Sequence, residues 1–106
     1  MRTLLLVALL TSATVSCIRE GVSDDEKARA IAAALAVYEQ QKQAGVDFSD
    51  GPCIAEEVID DWSVDIAHNP RQEVDNKPEN QCQYYRDGKT HHFVELTPEG
   101  ELIRAK

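Results

Sequence analysis

The distribution of hydrophobic and polar residues predicts one long helix in the first half of the chain. Strong helix formers dominate EKARAIAAALAVYEQQKQAG, residues 26–45. Its apolar residues recur at helical spacing and form one narrow stripe, made of Ile31, Leu35 and Tyr38 with Ala28 and Ala34 beside it. Ser23 and Glu26 have the spacing of a capping box, and Gly45 is a typical residue just beyond a helix end. We therefore expect a helix that begins after Ser23 and packs on a sheet.

Strict alternation predicts a half-buried strand in the second half of the chain. Trp62, Val64 and Ile66 alternate there with the polar Ser63 and Asp65. The segment just before it, from Cys53 to Ile59, fits either a short helical turn or a strand. A polar stretch with two prolines follows and predicts a long loop, and loops of that length in compact domains are often functional or otherwise constrained.

The C-terminal part predicts a meander of three strands, CQYYR, KTHHFVEL and ELIR, joined by the turns DG and TPEG. Across the second turn, Leu96 faces Leu102. The first turn allows two registers, because Cys82 faces Phe93 across a two-residue loop but His92 across a bulged loop. We expect the bulged loop, since it buries Cys82 with the aliphatic residues. The predicted fold class is α+β: an N-terminal amphipathic helix packed on a three- or four-stranded antiparallel meander sheet.

The N-terminal residues have the order of a secretory leader. Positively charged Arg2 precedes an apolar run from Leu4 to Leu10, and small residues follow up to Ser16. The run is too short to cross a membrane, which takes about 20 apolar residues. We expect a signal peptide over residues 1–16, a tether over 17–22 and a single domain over 23–106, in a protein exported to the cell envelope.

Three cysteines support this expectation, because an exported chain meets an oxidising compartment in which thiols pair. Cys53 and Cys82 form the expected disulfide, and closing a loop of about 30 residues stabilises the fold by roughly 3.6 kcal/mol. Metal ligation by the same two thiols is the alternative, although a C-x-x-C spacing is lacking. Val15-Ser16-Cys17 resembles the lipobox of bacterial lipoproteins, although Thr14 stands where Leu is usual. Lipidation of Cys17 would remove the odd thiol; otherwise Cys17 lies within the leader or stays free, and the protein is periplasmic or secreted.

The charge of the chain disfavours nucleic acid as a partner. The formal net charge is −8, and removal of residues 1–16 takes away one cation, Arg2, and no acidic residue, which leaves −9. Such a surface repels nucleic acid and anionic lipid head groups. Membrane association is therefore expected to come from a lipid on Cys17, with an envelope protein as a further partner.

Two groups of polar residues are candidates for a site. The polar loop carries adaptable hydrogen-bonding groups that could form a recognition surface, namely His68, Asn69, Arg71, Asp75 and Asn80. The alternative is that these groups cap backbone atoms and pair among themselves, Arg71 with Asp75 for example. The three histidines, His68, His91 and His92, are weak candidates for divalent-metal ligands together with Asp65. Neighbouring His91 and His92 point to opposite faces of a strand, so His68 with one of them is the better pair.

Catalytic residues are not indicated by the sequence. A G-x-S-x-G motif is lacking, and the adjacent acids Glu56-Glu57 and Asp60-Asp61 fit a solvated acidic surface. No cofactor is expected. Four blocks after residue 50 resemble a group of small, uncharacterised exported bacterial proteins with lipoprotein-like leaders: GPC, DIAHNPRQ, VDNKPENQC and HHFVELTPEGELIRA. This resemblance implies a bacterial envelope origin and carries no activity.

Three functions are compatible with these features. The first is a membrane-tethered, non-enzymatic binding or accessory module that uses the 68–81 loop and the adjoining sheet face. The second is a small metal-dependent enzyme that uses His68 with His91 or His92. The third is a structural spacer without a ligand.

Overall fold

The structure, a computed structural model, describes residues 21–106. The helix α1 (Asp24–Gln43) is followed by the strands β1 (Cys53–Ile59) and β2 (Trp62–Ile66), the one-turn helix α2 (Gln83–Arg86), and the strands β3 (His92–Leu96) and β4 (Leu102–Ala105). The α+β class is confirmed. The expected leader and Cys17 lie outside the described residues. Within residues 21–106, no helix is both long and apolar enough to cross a membrane.

The sheet is mixed, which corrects the expected antiparallel meander. Its strand order is β1-β2-β3-β4, as in a meander. However, β2 and β3 run parallel, with Trp62 beside His92 and Ile66 beside Leu96. Parallel neighbours need a crossover connection, and residues 67–91 form it. The hairpin between β3 and β4 is antiparallel and pairs Leu96 with Leu102, as predicted.

The crossover ends in a helical turn where the sequence predicts a strand. The carboxylate of Glu56, on β1, accepts hydrogen bonds from the backbone N–H groups of Gln83 (3.3 Å) and Tyr84 (2.8 Å). These N–H groups belong to the first turn of α2 and have no partner inside the helix. A distant carboxylate therefore caps α2. The predicted strand CQYYR and the predicted pairing of Cys82 with His92 are both wrong.

Helix α1 begins and ends where the sequence predicts. Ser23 accepts a hydrogen bond from the Glu26 backbone N–H, and Gly45 has a positive φ of 84° just beyond the helix. The Glu26 carboxylate does not complete a capping box. It accepts a hydrogen bond of 2.9 Å from Nε1 of the buried Trp62 instead. The helix N-terminus is thereby joined to the centre of the sheet.

The hydrophobic core lies between α1 and one face of the sheet. The helix buries Ala30, Ala34 and Tyr38, whereas Leu35 of the predicted stripe is 40% exposed. Small side chains let the helix approach β1 closely, so the buried face is the alanine face. The core side chains of the sheet are Ile54 on β1, the three predicted on β2 and two from β3: Trp62, Val64, Ile66, Val94 and Leu96.

The disulfide between Cys53 and Cys82 is confirmed. It joins the start of β1 to the residue before α2, with the Cα atoms 4.9 Å apart. The bond therefore holds the end of the crossover against the sheet. This matters for the face of the sheet opposite α1, because the crossover and α2 lie there.

Candidate functional site

The second face of the sheet is covered, although alternation on β2 predicts a solvated one. Ser63 is fully buried, and its hydroxyl donates to the backbone carbonyl of Glu56 (2.7 Å) and lies 2.6 Å from Oγ1 of Thr90. Thr90 is itself 1% exposed and belongs to the crossover. The polar side of the sheet is thus an interface with residues 67–91, and it encloses polar side chains.

Asp75 holds the crossover in its folded form. Its buried carboxylate accepts hydrogen bonds from the backbone N–H groups of His68 (3.0 Å) and Gln72 (2.8 Å) and contacts Nδ1 of His68 at 2.9 Å. Burial raises the pKa of Asp75, but these hydrogen bonds outweigh it, and the net pKa is lowered. A side chain at Gly51 would collide with this carboxylate, so the packing here requires glycine.

Arg71 extends from the crossover to the sheet. Its guanidinium donates to the Glu95 carboxylate (2.9 Å), the Asn76 side-chain oxygen (2.8 Å) and the Asp75 backbone carbonyl (3.2 Å). The carboxylate of Glu95, 5% exposed, also pairs with Nε of Arg104 on β4 at 3.1 Å. Glu95 is thus a buried anion with two cationic partners, which is the condition under which a buried charge is tolerated.

Asp65 lies beside Glu95 in the parallel register of β2 and β3. Within residues 21–106 it forms no ion pair. Among the described residues, nothing donates a hydrogen bond to its buried Oδ1. Burial, reinforced by the negative charge of Glu95, raises the pKa of Asp65 from 3.8 to about 8, although Arg71 opposes the shift. At neutral pH the side chain is therefore a neutral carboxylic acid.

These groups line a cavity of about 200 Å³ between the sheet, the crossover and α2. Glu95, which is buried, and Asp65, whose Oδ1 is buried, form its floor, and the more exposed Tyr85, Arg86 and Arg104 form its rim. The complete lining is Ser63, Asp65, Arg71, Gln81, Cys82, Tyr85, Arg86, Phe93, Glu95 and Arg104. A concave site with convergent polar groups and a carboxyl of strongly raised pKa is a standard candidate for ligand binding.

One wall of the cavity is aromatic. The rings of Tyr85 and Phe93 meet edge to face, with their centroids 5.1 Å apart. Tyr85 comes from α2 and is 43% exposed. Helix α2 places Tyr85 at the edge of the cavity. The same segment is predicted from the sequence as a strand. The cavity therefore combines an apolar wall with a charged rim.

Most of the predicted binding residues of the loop have structural roles. His68 and Asp75 bind each other, and the Asn80 side chain donates to the Val74 carbonyl at 2.9 Å. Asn69 is exposed and precedes Pro70 in a cis peptide bond. Of the five residues, only Arg71 lines the cavity. The alternative expectation, that the loop groups cap backbone atoms and pair among themselves, describes His68, Asp75 and Asn80 better. Arg71 reaches the backbone carbonyl of Asp75 rather than its carboxylate.

The candidate metal-ligating histidines lie at different ends of the sheet. His91 contacts the Asp61 carboxylate through Nδ1 at 2.8 Å, and Nε2 of His92 lies 3.6 Å from its other oxygen. At a rise of about 3.3 Å per residue, the last pair of these strands, Ile66 beside Leu96, lies about 13 Å from the Trp62–His92 pair, and His68 follows beyond it. Parallel pairing thus separates His68 from the other two, and the geometry does not favour a shared ion.

A second grouping of ligand atoms involves the cysteines. Within the part of the chain that the structure describes, Cys53, Glu56 and Cys82 are the one group of three whose ligand atoms lie within 4.8 Å of one another. The two sulfurs are joined in the disulfide. Because a metal binds thiolates, the bonded sulfurs are not available as ligands, and the thiol-metal alternative is not supported.

Four of the residues that define the cavity are not predicted from the sequence: Asp65 as an unpartnered acid, Glu95, Arg86 and Arg104. One signal was present. The segments WSVDI and HFVEL each carry one acid in the middle of an apolar pattern, and the structure pairs these acids in register. Such acids are rarely buried unless they are paired or functional. The arginines gave no signal, since exposed arginines are common.

Comparison with known proteins identifies no relative. No model of a protein family, no curated protein and no solved structure matches this chain. Its function is therefore inferred from the chemistry of the cavity and from the features of the sequence that indicate where the protein works.

Proposed function

We propose that this chain is an exported binding module of the bacterial envelope, tethered to the membrane through Cys17, which takes up a small molecule in the cavity between the sheet and α2. The observation that carries the proposal is Oδ1 of Asp65, a buried oxygen at the cavity that has no hydrogen-bond partner among residues 21–106. A buried polar group without a partner is destabilising by about 1–3 kcal/mol. Proteins keep such groups mainly at functional sites.

Glu95 is not in the state of a general base. A general base must be free to accept a proton, whereas both oxygens of this carboxylate are paired, with Arg71 and with Arg104. The same pairs make the cavity rigid. Five of its ten lining residues come from β2, β3 and β4, and Cys82 ties the crossover to β1 beside it. A preformed cavity loses little conformational entropy when a ligand binds.

The location is supported by independent features of the sequence. These are the leader-like residues 1–16, the lipobox-like Val15-Ser16-Cys17 and the resemblance to exported bacterial proteins. The disulfide supports the same conclusion, because such bonds persist in oxidising compartments. Intact mass spectrometry of membrane-extracted protein tests this part. We expect loss of residues 1–16, a mass increase from acyl chains on Cys17, and no free thiol. A full-length cytosolic chain with three reactive thiols would contradict it.

Binding is tested with the full chain by two-dimensional NMR. A set of small acids, amines and neutral compounds is added in turn, and backbone amide shifts are followed. We expect at least one class to move resonances of the β2 and β3 residues beside Asp65. The matched variants are Asp65→Leu, which we expect to fold and not to bind, and Asp60→Asn in the exposed turn between β1 and β2, which we expect to bind normally. The proposal fails if no compound moves these resonances.

The two other functions remain distinguishable from this one. A metal-dependent enzyme requires bound metal, so elemental analysis of untagged protein separates it from a binding module. If the protein is a spacer without a ligand, no compound should bind. Replacement of Asp65 should then change only the stability of the fold. The separation of His68 from His92 along the parallel strands argues against the metal enzyme, and the unpartnered Asp65 argues against the spacer.

A further inference from the structure

We infer that the ligand of this cavity is a small organic monoanion, a carboxylate whose charged end is bound by Arg86 and Arg104 and whose apolar part lies against Tyr85 and Phe93. This inference rests on the proposed function and specifies the chemistry of the ligand. It draws on the free donors at the rim, the charge of the cavity, the hydrogen-bonding capacity of its floor and the aromatic wall.

The rim carries donors that nothing in the described chain uses. The guanidinium of Arg86 has no hydrogen-bond or ion-pair partner among residues 21–106, and Arg104 uses only Nε, on Glu95. The two Nη groups of Arg104 are therefore also free. Guanidinium groups bind carboxylates through paired N–H donors and are preferred where such planar recognition is needed.

The charge of the cavity is positive although the chain as a whole is acidic, with a formal charge of −8. Three arginines line the cavity and face one ionised carboxylate, Glu95, which Arg71 and Arg104 bind. Asp65 adds no charge at neutral pH, because burial first and the neighbouring Glu95 second raise its pKa to about 8. An anion is therefore attracted to the cavity, whereas an amine is repelled by its rim.

The floor supplies a hydrogen-bond donor. A neutral carboxyl group donates one O–H, and the carboxyl torsion of aspartate is soft, so either oxygen of Asp65 can carry the proton toward the cavity. An anionic oxygen is the acceptor that this donor binds best. The carboxylate of a bound ligand would thus accept hydrogen bonds from Asp65 on the floor and from Arg86 and Arg104 on the rim.

The aromatic wall distinguishes an organic anion from an inorganic one. Tyr85 and Phe93 offer apolar surface that phosphate cannot use, whereas an aromatic or short aliphatic carboxylate buries its body there. The cavity volume of about 200 Å³ suits a molecule of this size.

The test uses four probes with the full chain at pH 7: benzoate, its neutral isostere benzamide, benzylamine and inorganic phosphate. Benzoate is expected to bind with a Kd on the order of 1 mM, as its few atoms allow. We expect benzamide and phosphate to bind at least tenfold more weakly. Preferential binding of benzylamine in the cavity would overturn the inference and leave the proposed function intact. Absence of binding by all four probes and by the wider set described above would refute both.

Variants identify the groups responsible. The double variant Arg86→Gln with Arg104→Gln is expected to weaken benzoate binding at least tenfold, because it removes the charge-assisted hydrogen bonds. Arg29→Gln, on the exposed side of α1, is the matched control and should bind like the wild type. Equal binding by the double variant and the control would overturn the assignment of the rim.

A pH series tests the floor. Above about pH 8 the wild type should lose affinity roughly tenfold per pH unit, because ionised Asp65 no longer donates. Asp65→Asn keeps a donor that does not titrate, so it should bind equally at both ends of the range. The charged groups around this position are Glu95 on β3, Arg71 and Asp75 in the crossover, Arg86 on α2 and Arg104 on β4. All of them are retained in Asp65→Asn. If this variant lost affinity above pH 8 as the wild type does, Asp65 would be excluded as the donor.

Discussion

Replacement of Asp65 by asparagine is expected to stabilise the protein at neutral pH and to abolish one component of its pH dependence. In the folded state the carboxyl is buried beside Glu95, and its pKa is raised from 3.8 to about 8 by burial and by that charge. In the unfolded chain it ionises at its ordinary value. Between about pH 4 and pH 8 the folded state therefore holds one more proton than the unfolded state.

The sign and the size follow from proton linkage. A folded state that binds more protons loses stability as the pH rises. Each pH unit between the two pKa values costs about 1.4 kcal/mol, so this single group lowers the free energy of unfolding by about 4 kcal/mol at pH 7 relative to pH 4. Stability stops falling near pH 8. Asparagine does not ionise and contributes no such pH dependence. The free energy of unfolding of Asp65→Asn should therefore match that of the wild type near pH 4 and exceed it by about 2–4 kcal/mol at pH 7.

The assay is urea unfolding between about pH 4 and pH 8, followed by the fluorescence of Trp62, the only tryptophan. The informative quantity is the difference between variant and wild type at each pH, because the titration of every other group is shared and cancels. Asp60→Asn, an exposed substitution on the same chain, is the control for the general effect of replacing an aspartate by asparagine. The reasoning is refuted if the difference in free energy of unfolding between Asp65→Asn and the wild type does not change between pH 4 and pH 8.

Two further predictions concern other parts of the fold. Reduction of the Cys53–Cys82 disulfide should lower the free energy of unfolding by roughly 3–4 kcal/mol, measured in urea with and without reductant, and a loss below about 1 kcal/mol would contradict it. Gly100→Ala should destabilise the protein more than Gly45→Ala by at least about 1 kcal/mol in the same assay. Both glycines have positive φ, but only a Cβ at position 100 meets the ring of Tyr38, at 2.6 Å; equal losses would contradict the packing.

Local signals in the sequence account for the helix, the β3–β4 hairpin and the disulfide. Ser23 and Gly45 act on backbone groups within one turn of themselves, and the TPEG turn joins adjacent strands. These interactions are short-range, so a pattern of neighbouring residues indicates them. The disulfide follows from a count of cysteines together with the expectation of export.

The parallel pairing and the cavity depend on long-range contacts that no local pattern encodes. CQYYR has the composition of a strand, yet the carboxylate of Glu56, 27 residues before Gln83, caps it as a helix. The helical turn lies in the crossover between β2 and β3, whose parallel pairing separates His68 from the other histidines. It also places Tyr85 and Arg86 over Asp65. The candidate site is thus a product of tertiary structure.

The claim on which this account depends is that Asp65 is a neutral donor facing a cavity that receives an anion. Carbon-detected NMR of its side-chain carboxyl in the full chain, titrated with and without saturating benzoate, measures this directly. We expect a midpoint near pH 8 in the free protein and a higher midpoint with benzoate, because a bound anion favours the protonated acid. A midpoint near 4, or one that benzoate leaves unchanged, would contradict the account.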